Sequence, residues 1–200
     1  MFARSTTFHG RPDGVEAGIK LVKNEVAPML DGIEGCRGLS LLVDRSAGEC
    51  IVTSSWRDMP TMIASDEKLR AMRDRGRDLM GNSMQVDEWE IAVMHRSHHG
   101  EVARVTWMTG DVQGMAENFR VLALPRIEDL SGFCSASLLI NDLTGIGCAT
   151  TCWENREAMM ASDELARGIR ESAARDIGGE IADVREFELA YAHLHVPEMA

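Results

Sequence analysis

The sequence predicts an α+β protein: two tandem ferredoxin-like β-α-β-β-α-β domains whose antiparallel sheets pack on each other as an intramolecular barrel. Three observations lead there. The 200-residue chain repeats itself, since Leu41-Leu42 through Ala64-Ser65-Asp66-Glu67 returns as Leu138-Leu139 through Ala161-Ser162-Asp163-Glu164 at a spacing of 97, which also pairs Pro28 with Pro125, Gly35 with Gly132, Gly48 with Gly145, Trp56 with Trp153 and Met62 with Met159. Each copy carries the same succession of apolar patterns, a strand, a helix, a strand pair, a helix and a strand. Helices can cover only one face of such a four-stranded sheet, so the other face needs a partner, and the second copy supplies it.

The register of the repeat is not constant. Arg4, Gly10 and Gly14 match Arg104, Gly110 and Gly114 at a spacing of 100, which places a three-residue insertion in the first helix of copy one. Glu88-Trp89-Glu90-Ile91-Ala92 matches Glu186-Phe187-Glu188-Leu189-Ala190 at 98, which asks for one extra residue near Gly178-Gly179. A period near 100 is the size of a small domain rather than of a solenoid unit. The expected division is copy one over 1–95, a polar linker over 96–101 and copy two over 102–200.

Within copy one, Ala3 to His9 reads as a strand, stopped by Gly10-Arg11-Pro12-Asp13-Gly14. Val15, Ile19, Val22, Val26 and Leu30 then put one apolar stripe on a helix, and Met115, Phe119 and Leu122 begin the same stripe in copy two. Pro28 and Pro125 fall late in these helices, where a proline kinks or stops them. Cys36 to Val43 and Cys50 to Trp56 form a hairpin around a Gly-containing loop, repeated by Phe133 to Ile140 and Gly147 to Trp153. Ser65 and Ser162 are expected N-caps of second helices over Asp66 to Met80 and Asp163 to Ile177. Val86 to Val93 and Val184 to Tyr191 alternate charged and apolar residues, as a strand with one wet face does.

Composition narrows the function. The net charge of -11 and pI near 5.0 argue against nucleic acid or an anionic membrane as partner, both of which require a cationic face. Cys36, Cys50, Cys134, Cys148 and Cys152 form no CxxC pair and are odd in number, so buried reduced thiols are expected rather than a disulfide framework. Cys148 and Cys152 share a strand face by their spacing. The first residues lack the apolar core of a signal peptide and no apolar run is long enough to span a membrane, which leads to an expected cytoplasmic location.

The Pro-x-Gly turn at Pro12-Asp13-Gly14, the glycines before the second strand (Gly35, Gly132), the third strands ending in Trp56 and Trp153 before an acidic helix start, and Glu-Trp-Glu and Glu-Phe-Glu on the fourth strands make the chain resemble the dimeric α/β-barrel superfamily, specifically domains of the antibiotic biosynthesis monooxygenase type. The resemblance runs through nearly the whole chain, twice. It implies a ligand site between sheet and helices, and a superfamily of cofactor-free oxygenases and haem-degrading enzymes. The haem-degrading branch uses an Asn on strand one and a Trp and a His in helix two. Those positions align with Thr7 and Trp107, Ser65 and Ser162, and Asp74 and Glu171, none of which matches.

The resemblance therefore implies a cofactor-independent monooxygenase acting on a small aromatic or quinol-type substrate in an apolar pocket, with no cofactor and no metal. Trp107, placed on the first strand of copy two, would stack on the ring, although a flat aromatic also fills a core. His9, at the end of strand one, is the candidate general base because imidazole titrates near neutral pH. Thr7, Met62 and Met159 join Trp107 as candidate substrate contacts, amid methionines that crowd the second helices and equally fill irregular cores. His95-x-x-His98-His99 lacks companion ligands at zinc spacing and reads as linker. The alternatives are a non-catalytic small-ligand-binding or interaction protein of the same fold, and a haem binder without the degrading residues. The expected partner is a small aromatic or apolar molecule, bound by a monomeric pseudo-dimer; whether two of these associate is left open.

Overall fold

The computed structural model describes residues 1–81 and 83–199. The first copy comprises β1 (Phe2–His9), a 3-10 turn (Pro12–Gly14), α1 (Val15–Leu21), a π-helical turn (Val22–Val26), α2 (Ala27–Asp31), β2 (Cys36–Asp44), β3 (Glu49–Trp56), α3 (Met59–Ala64), α4 (Asp66–Met80) and β4 (Ser83–Arg96). The second comprises β5 (Val102–Thr109), α5 (Val112–Asn118), a π-helical turn (Phe119–Ala123), α6 (Leu124–Glu128), β6 (Phe133–Asn141), β7 (Ile146–Trp153), α7 (Arg156–Ala161), α8 (Asp163–Asp176) and β8 (Glu180–Leu194). The expected β-α-β-β-α-β order is present twice. The hydrogen-bonded strand order is β1-β3-β2-β8-β5-β7-β6-β4, and it closes on itself as an eight-stranded barrel.

By compactness the chain divides into Met1–Trp89 with Glu188–Val196, and Glu90–Phe187 with Pro197–Ala200. The division does not follow the sequence repeat, because the fourth strands are long and each contributes to both units. In the first unit β3 pairs antiparallel with β1 and β2, and the end of β8 adds to β2 from Val43↔Glu188 to Gly38↔Leu194. In the second, β7 pairs with β5 and β6, and the end of β4 adds to β6 from Glu90↔Ile140 to Arg96↔Ser135. Register shifts at Ile91/Val93 and Leu41/Leu42 leave Ala92 and Ala190 outside the ladder, 98 residues apart, as bulges that bend the two long strands.

The first helices correct the expected register. The helical residues from Val15 and from Val112 onward correspond at a spacing of 97, while β1 and β5 correspond at 100. The three-residue insertion therefore lies before the helix, in the Pro12–Gly14 turn, and Gly114 has no structural kinship with Gly14. The stripe in copy two is accordingly Val112, Ala116, Phe119, Ala123 and Ile127, all buried, whereas Leu122 is 49% exposed. Each proline is met by a change of register rather than a stop. Proline has no N–H and its ring collides with the carbonyl four residues back. A π-helical turn precedes each, with Ala27 N–H donating to Val22 O and Leu124 N–H to Phe119 O, five residues back, and the helix then continues through Pro28 and Pro125.

The second helices begin differently from expectation. Ser65 and Ser162 have helical backbone angles and make no cap; each hydroxyl donates instead to a carbonyl three residues back, Met62 O and Met159 O, at 2.7 Å. The caps belong to Asp58 and Asn155, which accept from Thr61 N–H and Ala158 N–H and start α3 and α7. The hairpin loops are as expected turn chemistry: Asp44 accepts from Ser46 and Ala47 N–H, Asn141 from Leu143 and Thr144 N–H, and Gly48 and Gly145 take the left-handed conformation. In each unit one core lies between sheet and helices, closed at one end by a fully buried tryptophan whose Nε1 donates to a hydroxyl two residues back: Trp56 to Ser54 and Trp153 to Thr151.

Candidate functional site

In the first unit a pocket of about 650 Å³ opens between the helix-facing side of the sheet and the first and second helices. Its walls are apolar, with Phe8, Leu39, Leu41 and Val52 from the strands and Val22, Val26, Leu69 and Met72 from the helices. Two glycines make the room. A side chain begun at Gly76 would lie 2.9 Å from the Phe8 ring, and one begun at Gly18 would lie 3.1 Å from Met80 Sδ. The residues of the π-helical turn lie on this wall, so the bulge forced by Pro28 shapes the pocket directly.

The polar end is built from Arg4 and Arg73, both of which line the pocket. Arg4 is 3% exposed. It donates to Glu88 Oε1 from Nε (3.2 Å) and Nη2 (2.7 Å) and to Ser65 Oγ from Nη1 (3.2 Å). Asp66 Oδ1 lies 3.7 Å from Arg4 Nη1 and also accepts from Arg73. Burial raises the Asp66 carboxyl, but Arg73, Arg70 and then Arg4 outweigh it and leave the group below its ordinary pKa. Cys50, on the same wall, moves the other way: burial, with Glu49 beside it, pushes its thiol up to about 12.

The second unit repeats the polar end and alters the walls. Arg104, Asp163 and Arg170 stand where Arg4, Asp66 and Arg73 stand, with Asp163 Oδ1 3.3 Å from Arg104 Nη2 and 3.7 Å from Arg170 Nη2. Arg104 Nη2 also donates to Glu186 Oε1 (3.1 Å) and Met159 O (3.2 Å). In this unit Met115 replaces Gly18 and Phe119 replaces Val22, and Met115 Sδ sits 2.5 Å from the point where a side chain at Gly147 would begin. The space is correspondingly divided into a pocket of about 470 Å³ holding both arginines and one of about 260 Å³ beside Met115.

The residues singled out from sequence fall elsewhere. Successive strand residues point to opposite faces, and the pocket side of β1 is carried by Arg4, Thr6 and Phe8, of β5 by Arg104, Thr106 and Met108. Thr7, His9 and Trp107 are one residue out of step and belong to the other face of the sheet. His9 is half exposed, its Nδ1 3.3 Å from the buried Glu49 carboxylate. Trp107 is partly buried, with the Arg185 guanidinium 5.9 Å from its ring centre. Met62 and Met159 are fully buried in the two cores and line no described pocket, whereas Met72 and Met80 line the first. His95 lies within β4 rather than in a linker, stacked on Phe133 and paired with Glu198 and Glu128. All five cysteines are free thiols, and four of them are buried.

The arginine pair has a signal in the sequence that the strand and helix patterns alone do not single out. Arg4 and Arg104 were anchors of the repeat, and Arg73 and Arg170 match at the spacing of 97. A charged residue kept in both copies on a strand otherwise facing a core is the pattern that marks it.

Known proteins agree with this architecture. A model of the antibiotic biosynthesis monooxygenase family matches residues 1–67. Uncharacterized protein Rv2557 of Mycobacterium tuberculosis is 40% identical over 205 residues, covering 100% of this chain and 92% of that protein. Uncharacterized protein Rv2558 of the same organism is 42% identical over 208 residues, covering 100% and 87%. The crystal structure of an anthrone oxidase-like protein superposes with a TM-score of 0.68 at 13% identity, covering 100% of this chain and 94% of that one. No helix among the described residues is long and apolar enough to cross a membrane. With its duplicated β-α-β-β-α-β order and closed eight-stranded barrel, the chain has the ferredoxin-like fold of antibiotic biosynthesis monooxygenase-like proteins and belongs to one family with Rv2557 and Rv2558.

Proposed function

We propose that the first unit's pocket binds a small aromatic molecule of phenol or quinol type and that the chain oxygenates it without a resident cofactor. The observation that carries this reading is a single one: a pocket apolar along its walls and ended by two arginines, of which Arg4 is almost wholly buried. Rings are held by dispersion and burial against Phe8, Leu41 and Met72. A phenolic oxygen placed at the arginine end lies beside two guanidinium groups, whose attraction for the phenolate exceeds that for the phenol even with Asp66 and Glu88 as their counter-charges. The phenolate is the electron donor that oxygen needs. A phenol then goes to a quinone: one oxygen atom bonds to the ring carbon, the other leaves as water with the ring and hydroxyl hydrogens, and the four electrons come from the substrate.

A second reading has its own support. The polar groups on this pocket's wall are guanidinium, hydroxyl and a thiol whose pKa is pushed up to about 12, so the wall offers no side chain that accepts a proton at neutral pH. That favours a non-catalytic small-ligand binder. An oxygen electrode and a calorimeter separate the two with 1,5-dihydroxynaphthalene as probe. The monooxygenase reading expects binding and one oxygen consumed per quinone formed, both lost in Gly18→Met. Binding without oxygen uptake above buffer assigns the binder; absence of binding removes both.

A further inference from the structure

The two arginine ends are not equivalent, and the difference points to a second ligand of another kind. In the first unit Arg4 Nη1 is occupied by Ser65 Oγ, and no side-chain nitrogen or oxygen of Arg4 or Arg73 is both buried and unpaired. In the second unit Arg104 spends Nη2 on Met159 O, Glu186 and Asp163, and its Nη1 is buried without a partner. Arg170 Nε is buried and unpartnered as well. Arg104 is 2% exposed, and both side chains line the same pocket of about 470 Å³. These two are the only buried unpaired side-chain nitrogens or oxygens among the described residues, and they belong to residues that line one pocket.

An unpaired buried donor on a charged group is costly, more than on a neutral one. The counter-charges, Asp163 and Glu186, are partly exposed and reach Arg104 only through Nη2 and Arg170 only through Nη2, so neither carboxylate serves the two unpaired nitrogens. Burial, and then Arg104, lower the Arg170 pKa against the opposing pull of Asp163, as expected of a buried cation held beside another. A ligand with two acceptor atoms satisfies both nitrogens, and guanidinium donors bind an ionised acceptor more strongly than a neutral one. The rest of the wall, including Phe119, Ile127, Trp153 and Ile169, is apolar.

We propose that the second unit's pocket is a binding site for a carboxylate with a compact apolar or aromatic body, one oxygen accepting from Arg104 Nη1 and the other from Arg170 Nε. Two N–H donors from different guanidinium groups suit the planar pair of oxygens of a carboxylate. The apolar walls select its body. This site is separate from the phenol pocket and does not depend on any reaction there.

The test is calorimetric titration of the full chain carrying Gly18→Met, which fills the first pocket, with 1-naphthoate and with 1-naphthylmethanol, the neutral analogue of the same body. Naphthoate is expected to bind one per chain, at least tenfold more tightly than the alcohol, and Arg170→Gln is expected to weaken it at least tenfold. Arg73→Gln, the counterpart in the first unit, is expected to leave naphthoate affinity unchanged. Arg170 rather than the more deeply buried Arg104 is varied so that the fold survives, which near-ultraviolet circular dichroism checks. Should Arg170→Gln lose its native spectrum, Ala149→Leu serves instead, filling the same pocket from β7 without touching a charge. Equal affinity for acid and alcohol, loss of naphthoate binding in Arg73→Gln, or no binding at all overturns the proposal. Oxygen uptake with dihydroxynaphthalene in an Arg170→Gln protein that keeps Gly18 reports on the first pocket alone, so failure of one reading is distinguishable from failure of the other.

Discussion

Gly18 and Met115 occupy the same position of the first helix in the two units, and the side chain present at one and absent at the other decides how much space lies beneath that helix. Met115 reaches over Gly147; Gly18 faces Cys50 across an open pocket. Gly18→Met is therefore expected to fill the first pocket and weaken dihydroxynaphthalene binding at least tenfold. The nearest obstacle is the flexible Met80 side chain at 3.1 Å, so the cost in stability is expected to stay below the ~1–3 kcal/mol of overpacking a tight core. Titration calorimetry and urea unfolding of the one variant check both parts.

Arg4 holds the acidic residues of its neighbourhood as well as the pocket's polar end. Arg4→Met removes a buried cation and leaves Glu88 and Asp66, each partly exposed, to water. The loss is expected at about 2–3 kcal/mol, below the ~3–5 kcal/mol of breaking a fully buried pair, because the stranded carboxylates can rehydrate. Urea unfolding measures it. Glu88→Gln, which keeps a hydrogen-bond acceptor for Arg4, is expected to cost less than half as much.

Two glycines give opposite signs. Gly38 has φ of 115°, and a side chain there would begin 2.0 Å from His193 O on the paired β8 strand. Gly38→Ala is expected to destabilise by more than about 3 kcal/mol. Gly168 lies on the exposed face of α8 with nothing within 4 Å of an added carbon. Gly168→Ala is expected to stabilise by about 0.5–1 kcal/mol. Thermal melts of the two variants side by side test the sheet pairing and the helix.

The buried thiols give the protein an alkaline limit. Burial holds Cys50 up to about 12 and Cys134 up to about 11, from 9.0 in the open chain. Below pH 9 both folded and unfolded chains keep these protons, and stability is unaffected. Above it the unfolded chain ionises first, so stability is lost between pH 9 and 12, by at most ~1.4 kcal/mol per pH unit for each thiol. Urea titrations at pH 8, 9 and 10 are expected to show this decline and to show less of it in Cys50→Ala.

The fold was legible because duplication wrote its pattern twice, and the matched tryptophans, hairpin glycines and Asp-Glu helix starts fix the same elements in both halves. The three-residue insertion was misplaced because Gly14 and Gly114 coincide by residue type, whereas the helix begins at Val15 and Val112. The pocket was harder to read for a reason of phase: on a strand a shift of one residue exchanges the faces, and Thr7 stood in for Thr6. Ser65 resembles an N-cap in one dimension, yet the short α3 ahead of it, begun by Asp58, gives its backbone helical angles and turns its hydroxyl to Met62. Arg4 looked like any charged residue near a strand edge, since only the folded sheet reveals that it ends beneath a helix.

On the proposed reading an aromatic ligand enters the first unit between its sheet and helices, with its polar end at Arg4 and Arg73. Amide chemical-shift mapping during titration with 1,5-dihydroxynaphthalene tests it most directly. The largest shifts are expected at Val22, Val26, Leu41, Leu69 and Gly76, and are expected to be lost in Gly18→Met. Shifts centred instead on Thr7, His9 or Trp107, on the far face of the sheets, would contradict it.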